Sequence, residues 1–296
     1  MKKIVRFLTI ACVLMSAVAS CGDEPYEPCK FPSTPNPDVD SSFWKRHNDS
    51  SLKILAIGNS FTINASTYMP WLINTLNSDS ICFASLTQSG CSLNMHWSNH
   101  IGLSSAYDLY YSNNGHWSHS DIKNIDLALV FFDWDVIVIQ QASALSGIYS
   151  SYEPAFEHLV RLFRETNPSS SIAWHYTWAY TPWADNDDFK KYDRNPEKMY
   201  NAIMKVADRV SAGLELHIPS ATLIKQMREA FPSEENGFSD DGIHITDKFA
   251  QYALSSLWYE TLVKPFANTT SIECGTFPFA MDRERIDIVN DIIGNL

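Results

Sequence analysis

The chain has 296 residues, 45% of them hydrophobic and 19% charged, enough apolar material for one generous core and too much for a disordered chain. Its 22 Lys and Arg stand against 34 Asp and Glu, a formal charge of −12, which argues against tracking a phosphate backbone and so against nucleic acid as a partner. Nine Trp exceed what such a core needs and point to a surface on which sugar rings stack.

Residues 1–20, MKKIVRFLTIACVLMSAVAS, join a basic start (Lys2, Lys3, Arg6) to an apolar run too short to span a bilayer comfortably, and read as an export signal. Its end, Val18-Ala19-Ser20-Cys21, resembles the lipobox of bacterial lipoproteins. That resemblance implies a lipidated Cys21 and a membrane partner, the outer membrane, on its periplasmic or cell-surface face. A soluble secretory peptide cleaved near the same place is the alternative. Gly22-Asp23-Glu24 resembles the acidic tag of surface-directed lipoproteins in Bacteroidetes-type bacteria. Removing residues 1–20 takes three basic residues and moves the charge from −12 to −15. Cys29, Cys82, Cys91 and Cys274 then remain in a compartment where disulfides persist. Cys82 with Cys91 is the preferred local pair and Cys29 with Cys274 would tie the two ends, although spacing fixes neither. The spacing is not that of a zinc site.

Residues 21–50, with Pro25, Pro28, Pro32, Pro35 and Pro37, read as an extended tether. The first strand is expected over 52–57 (LKILAI), closed by Gly58-Asn59-Ser60, and a helix over 65–76 that tolerates Pro70 only with a bend or a late start. A second strand covers 81–86 and ends near Gln88-Ser89-Gly90. The polar, aromatic stretch 94–124, with His96, His100, His116 and His119, is a hairpin-bearing insertion or an irregular cap. The run 135–139 (DVIVI) is apolar on both faces, as a covered parallel strand should be. Helices over 152–165, 196–212, 221–229 and 246–262 alternate with strands over 171–175 and 217–219. The alternation predicts an α/β domain over 51–264 with a mostly parallel central sheet. Residues 265–296 form a C-terminal extension packed on it, ending in the apolar segment 286–293.

Ser60 follows the first strand at the mouth of a helix, where open α/β sheets place their sites. Ser239-Asp240-Asp241-Gly242-Ile243-His244-Ile245-Thr246 forms a turn before the last long helix, with Asp241 and His244 three residues apart. A carboxylate there can hold an imidazole that takes the proton of Ser60. ILAIGNSFT together with DGIHIT resembles the SGNH (GDSL-like) hydrolases, and among them a group of Bacteroides-type exported proteins of uncharacterised function, over roughly residues 52–262. The resemblance implies a three-layer α/β/α sandwich of flavodoxin-like kind and a Ser60-His244-Asp241 triad. Asn59 stands where the family usually has Asp.

The family's oxyanion hole would use the backbone N–H of Ser60, that of Gly90 and an Asn side chain after the third long strand. This chain has Gln140-Gln141-Ala142-Ser143 there, without Gly-x-Asn-Asp. A Gln carboxamide is the same donor on a longer arm, so Gln140 or Gln141 could substitute, with Gln140 preferred because it leaves the strand directly. Asn59, Gln141, His96, Trp97 and Trp178 are candidate substrate contacts, and Trp174, Tyr180 and Trp183 could join them along a sugar cleft. The histidines between 96 and 119 have no carboxylate or Cys at ligand-like spacing, so no metal is expected; the chemistry needs no cofactor. The reading is a serine esterase that removes acetyl or other O-acyl groups from a polysaccharide or oligosaccharide. The alternative is a surface glycan-binding lipoprotein of the same fold with reduced chemistry. A lipid-ester hydrolase would need an apolar flap, and 94–124 is too polar for one.

Overall fold

Four short aliphatic runs form the centre of the sheet in the computed structural model, which describes residues 41–77, 79–269 and 277–296. The export signal, Cys21, the tether up to residue 40 and the Cys29–Cys274 pairing lie outside the described residues. In chain order the elements are α1 (Ser41–His47), β1 (Leu52–Gly58), α2 (Ser60–Ser66), α3 (Met69–Leu76), β2 (Ile81–Thr87), α4 (Leu93–Ile101), β3 (Asp108–Asn113), β4 (His116–Ser120) and α5 (Ile125–Phe131). Then come β5 (Val136–Ile139), α6 (Ala155–Thr166), β6 (Ser171–His175), α7 (Pro196–Val210), β7 (Leu216–Ile218), α8 (Ser220–Ala230), α9 (Lys248–Leu262) and α10 (Arg283–Gly294).

The sheet runs β4-β3-β2-β1-β5-β6-β7. Its five strands from β2 to β7 are parallel, and β3 and β4 add an antiparallel edge. β2 and β5 are buried at every position, because helices cover both faces and leave no side for polar residues. The chain steps from β1 to β2 on one side and reaches β5 on the other. Right-handed crossovers in opposite directions put their helices on opposite faces. α2, α3 and α9 pack together, and α4, α5 and α6 form a second group. The result is the α/β/α sandwich with the 2-1-3-4-5 parallel order of flavodoxin-like folds, and its switch point lies between β1 and β5.

The stretch 94–124 is a helix followed by a hairpin that extends the sheet. The hairpin turns on Asn114 (φ 49°) and Gly115 (φ 82°), the left-handed pair that a two-residue turn requires. The single helix expected over 65–76 is two helices. Pro70 falls in the first turn of α3, where its ring has no carbonyl to clash with. Ser255 of α9 bridges the break, donating to the Ala65 carbonyl at 2.9 Å and accepting from the Tyr68 N–H at 3.0 Å.

Two expectations are corrected. The tether does not extend to residue 50: α1 packs on the domain through Phe43, fully buried and stacked on Tyr111 and Phe131 at 4.5 and 5.1 Å. Cys82 and Cys91 are both free and buried. Cys82 opens β2 and Cys91 lies beyond its far end, and the strand between them alone separates the two by about 16 Å, more than twice what a disulfide spans. At the other end of the chain, α10 packs on α8 with Ile286 and Val289 buried. Among the described residues no helix is long and apolar enough to cross a membrane.

Candidate active site

β1 ends at Gly58, and a Cβ there would meet Thr62 Oγ1 at 2.0 Å and Gln140 Cδ at 3.2 Å. Glycine therefore lets the chain turn straight back into α2. Asn59 caps that helix, its Oδ1 accepting from the Phe61 N–H at 3.0 Å. Ser60 is the first helical residue and is half-buried. Its Oγ lies 2.8 Å from His244 Nε2, and His244 Nδ1 lies 2.6 Å from Asp241 Oδ2. A carboxylate only accepts, so Nδ1 carries the ring proton and Nε2 presents its lone pair to the Ser60 hydroxyl.

The Asp241–His244 turn is held from several sides. Asp241 Oδ1 accepts from the N–H groups of Ile243 (2.8 Å) and His244 (2.7 Å). Partial burial works against the Asp241 charge, but the His244 ring and those two N–H groups outweigh it and hold the carboxyl at about 2. Gly242 has φ 78°, and a Cβ there would lie 2.6 Å from Thr181 Oγ1 and 2.7 Å from Ala184 Cα. The Thr181 N–H donates to its carbonyl at 2.8 Å. Trp178 donates from Nε1 to the Ile243 carbonyl at 2.9 Å and stacks on Phe61 at 4.2 Å. One buried indole thus ties the His244 turn to the helix that carries Ser60.

Ser60 and His244 open into a pocket of about 460 Å³, shared with Gly90, Ser143, Tyr180 and Lys191. A cavity of about 280 Å³ between α2 and the hairpin, lined by Ile63, Tyr110 and Trp117, contains none of the expected site residues. Gly90 takes φ 63° with open space where a Cβ would stand, so conformation is what selects glycine there. As the first residue of α2, Ser60 has an N–H with no partner inside the helix.

Several expected residues are elsewhere. Gln140 and Gln141 are both fully buried and do not line this pocket. Gln140 Nε2 donates to Asn59 Oδ1 (2.7 Å), while its Oε1 accepts from Thr62 Oγ1 (2.9 Å) and lies 2.6 Å from His175 Nδ1. Gln141 Oε1 accepts from the N–H groups of Leu93 and Ala142, and its Nε2 donates to Ser151. Gln141 has both of its N–H groups on Ser151, and Gln140 points its carboxamide into the scaffold, away from the pocket. Asn59 borders the pocket, and its amide donates to the Cys91 carbonyl at 3.0 Å. The Phe61 N–H and the Cys91 carbonyl fix the direction of this whole chain. Asn59 must present Oδ1 to Gln140, Gln140 must present Oε1 to His175, and His175 must carry its proton on Nδ1. Burial pushes the pKa of His175 down to about 3, so the ring is neutral.

His96 is fully buried beside Tyr107, its Nδ1 3.0 Å from the phenol oxygen, and burial lowers its pKa to about 3. Trp97 packs between His100 and His158 at 5.0 and 4.7 Å, away from the pocket. Trp174 and Trp178 are buried, Trp183 is exposed, and of the cleft aromatics only Tyr180 lines the pocket. Of the nine Trp, Trp134, Trp174, Trp178 and Trp258 are buried in the core, and none lines this pocket. Sequence reasoning missed the pocket wall at Asn186, Asp188 and Lys191, which carries no motif. Among the described residues no group of three or more His, Cys, Asp or Glu is arranged to hold a metal.

The family described as "Domain of unknown function (DUF4886)" matches residues 53–274. The chain belongs to the DUF4886 family. A DUF4886 family protein from Bacteroides uniformis has a similar structure, with TM-score 0.72 and 29% identity over 82% of this chain and 93% of that one. A catalytic mutant of an acetylxylan esterase from Geobacillus stearothermophilus matches this chain with TM-score 0.45 and 11% identity over 74% of this chain and 97% of that one. None of the curated proteins matches this DUF4886 chain.

Proposed function

We propose that this protein is a serine hydrolase of carboxylic esters that removes acetyl or other O-acyl groups from a polysaccharide or oligosaccharide. The observation that carries the reading is the chain Ser60 Oγ, His244 Nε2, His244 Nδ1, Asp241 Oδ2, with spacings of 2.8 and 2.6 Å, at the mouth of an open pocket. His244 takes the Ser60 proton as Oγ attacks the ester carbonyl, and Asp241 steadies the imidazolium without taking the proton itself. The N–H groups of Ser60 and Gly90 receive the oxyanion. His244 then hands its proton to the departing sugar oxygen. Water, deprotonated by the same imidazole, cleaves the acyl-enzyme to carboxylate and restores Ser60. The pocket is walled by Ser89, Ser92, Ser143, Asn186 and Lys191, a lining for a hydroxylated substrate rather than a lipid chain. The export signal and a lipidated Cys21 would hold this domain at the outer membrane, where such glycans arrive.

The buried carboxamides of Gln140 and Gln141, both turned into the scaffold, favour a second reading, a surface glycan-binding protein with reduced chemistry. Acetate release separates the two. The soluble protein from residue 22 onward is assayed on p-nitrophenyl acetate and a panel of acetylated polysaccharides beside Ser60→Ala. Release that the variant loses by on the order of 10⁴-fold is the expected result. Equal release by both sinks the triad, and retention of one glycan without turnover transfers the function to binding.

A further inference from the structure

With both carboxamides turned inward, the loop after β5 still reaches the pocket. The Ala142 N–H is drawn back onto Gln141 Oε1 at 2.9 Å, and Ala142, Ser143, Ala144 and Leu145 then line the wall shared with Ser60, Gly90 and His244. The loop is pinned on its far side, where Tyr152 donates to the Ser146 carbonyl at 2.8 Å and Tyr192 to the Ala144 carbonyl at 3.1 Å. In the segment 142–145 only Ser143 carries a polar side chain.

The hydroxyl of Ser143 lies 2.8 Å from that of Tyr180, which lines the same pocket. Among the described residues neither hydroxyl has another hydrogen-bond partner. Tyr180 is buried, its ring packed on Phe189 at 5.4 Å and its N–H donating to Met199 Sδ, so the phenol is fixed in place. Either hydroxyl can supply the proton of this bond; a phenol is the stronger acid of the two, and with the phenol donating, Ser143 Oγ is the acceptor. The Ser143 proton is then left for the pocket, and accepting the phenol's bond makes that hydroxyl the better donor.

Resting on the serine-hydrolase reading above, we propose that Ser143 is the third oxyanion donor of this site, replacing a carboxamide, and that Tyr180 is the positioning residue that orients and polarises it. Charge develops on the former carbonyl oxygen as Ser60 Oγ bonds to the carbonyl carbon. A hydroxyl fixed beforehand stabilises that charge without reorganisation.

The test is steady-state hydrolysis of p-nitrophenyl acetate by the soluble protein, with Ser143→Ala, Ser143→Thr, Tyr180→Phe and the double variant Ser143→Ala/Tyr180→Phe. Loss of a donor used only in the transition state lowers kcat and kcat/KM together. Ser143→Ala is expected to lower kcat on the order of 100-fold with KM unchanged. Ser143→Thr, which keeps the hydroxyl, is expected to restore most of it. Tyr180→Phe is expected to lose about 10-fold, and the double variant no more than Ser143→Ala alone, because Tyr180 acts through Ser143. A kcat for Ser143→Ala within twofold of the parent, alongside a parental activity that depends on Ser60, overturns this proposal and leaves the hydrolase standing. A parent without Ser60-dependent turnover overturns both.

Discussion

The turn carrying Asp241 and His244 and the strand end carrying Gln140 and Gln141 flank the same crevice, and both are strongly polar. Their side chains are used in opposite ways. The side chains of Asp241 and His244 are 48% and 35% exposed, and their mutual bond leaves His244 Nε2 facing Ser60. The two glutamines are fully buried, and every partner they have is another part of the scaffold. At a switch point polar residues thus divide into those with hydrogen-bonding capacity left for a substrate and those that spend it holding the loops. A buried polar group must be paired, and a carboxamide paired within the scaffold is turned away from the substrate.

Gln140→Leu tests that division most strongly. The substitution keeps much of the volume but leaves the Thr62 hydroxyl and the His175 Nδ1–H without an acceptor in the interior. Each buried unsatisfied group costs about 1–3 kcal/mol, so urea unfolding is expected to lose roughly 4 kcal/mol in all. Ser60→Ala, on the exposed side, is expected to unfold within about 0.5 kcal/mol of the parent. A Gln140→Leu protein with parental stability and a collapsed kcat would erase the distinction and return the carboxamide to the oxyanion hole.

Gly242→Ala sharpens the other half of the comparison. It forces a residue with a Cβ into φ 78° and against Thr181 and Ala184, at a cost of roughly 3 kcal/mol. The strain falls between Asp241 and His244, so kcat on p-nitrophenyl acetate is expected to fall as well. Full activity in a destabilised Gly242→Ala protein would mean that the turn holds its geometry without help from Thr181.

Those differences decide what was readable in the residues. The strands were legible because burial on both faces leaves an unbroken apolar run, as in 135–139. The pairing of Ser60 with DGIH was legible because a Gly turn with Asp and His three apart has few other uses. The direction of Gln140 was not: a side chain at a strand end turns outward or inward according to what waits beneath it, here Thr62, Asn59 and His175, brought in from three other segments. The same holds for Trp178, whose neighbours Thr177 and Ala179 give no hint that its ring lies under Phe61. α1 stayed hidden because two aromatic residues, Phe43 and Trp44, follow a Pro-rich stretch, and their partners Tyr111, Phe131 and Phe132 are distant in the chain. The hairpin turn at Asn114-Gly115 was written in the residues, but among polar neighbours it carried no apolar alternation to frame it.

The smallest expected effect concerns the innermost member of the buried chain. His175 is held neutral by burial, with its pKa lowered from 6.5 to about 3. The unfolded chain takes up a proton near pH 6.5 that the folded chain refuses until about pH 3. Between those values the unfolded state binds more protons, so stability rises with pH there and is lost as the medium is acidified. At pH 5 the deficit from this one group is about 2 kcal/mol relative to pH 7. His175→Gln keeps an N–H donor for Gln140 and removes the titration. Its urea-unfolding free energy is therefore expected to fall less between pH 7 and pH 5 than the parent's, by about that amount. His47 and His96, also buried with lowered pKa values, keep their share of the slope in both proteins and cancel from the difference. Parallel pH profiles would mean that His175 takes up its proton alike in the folded and unfolded protein, and that burial does not hold the ring neutral.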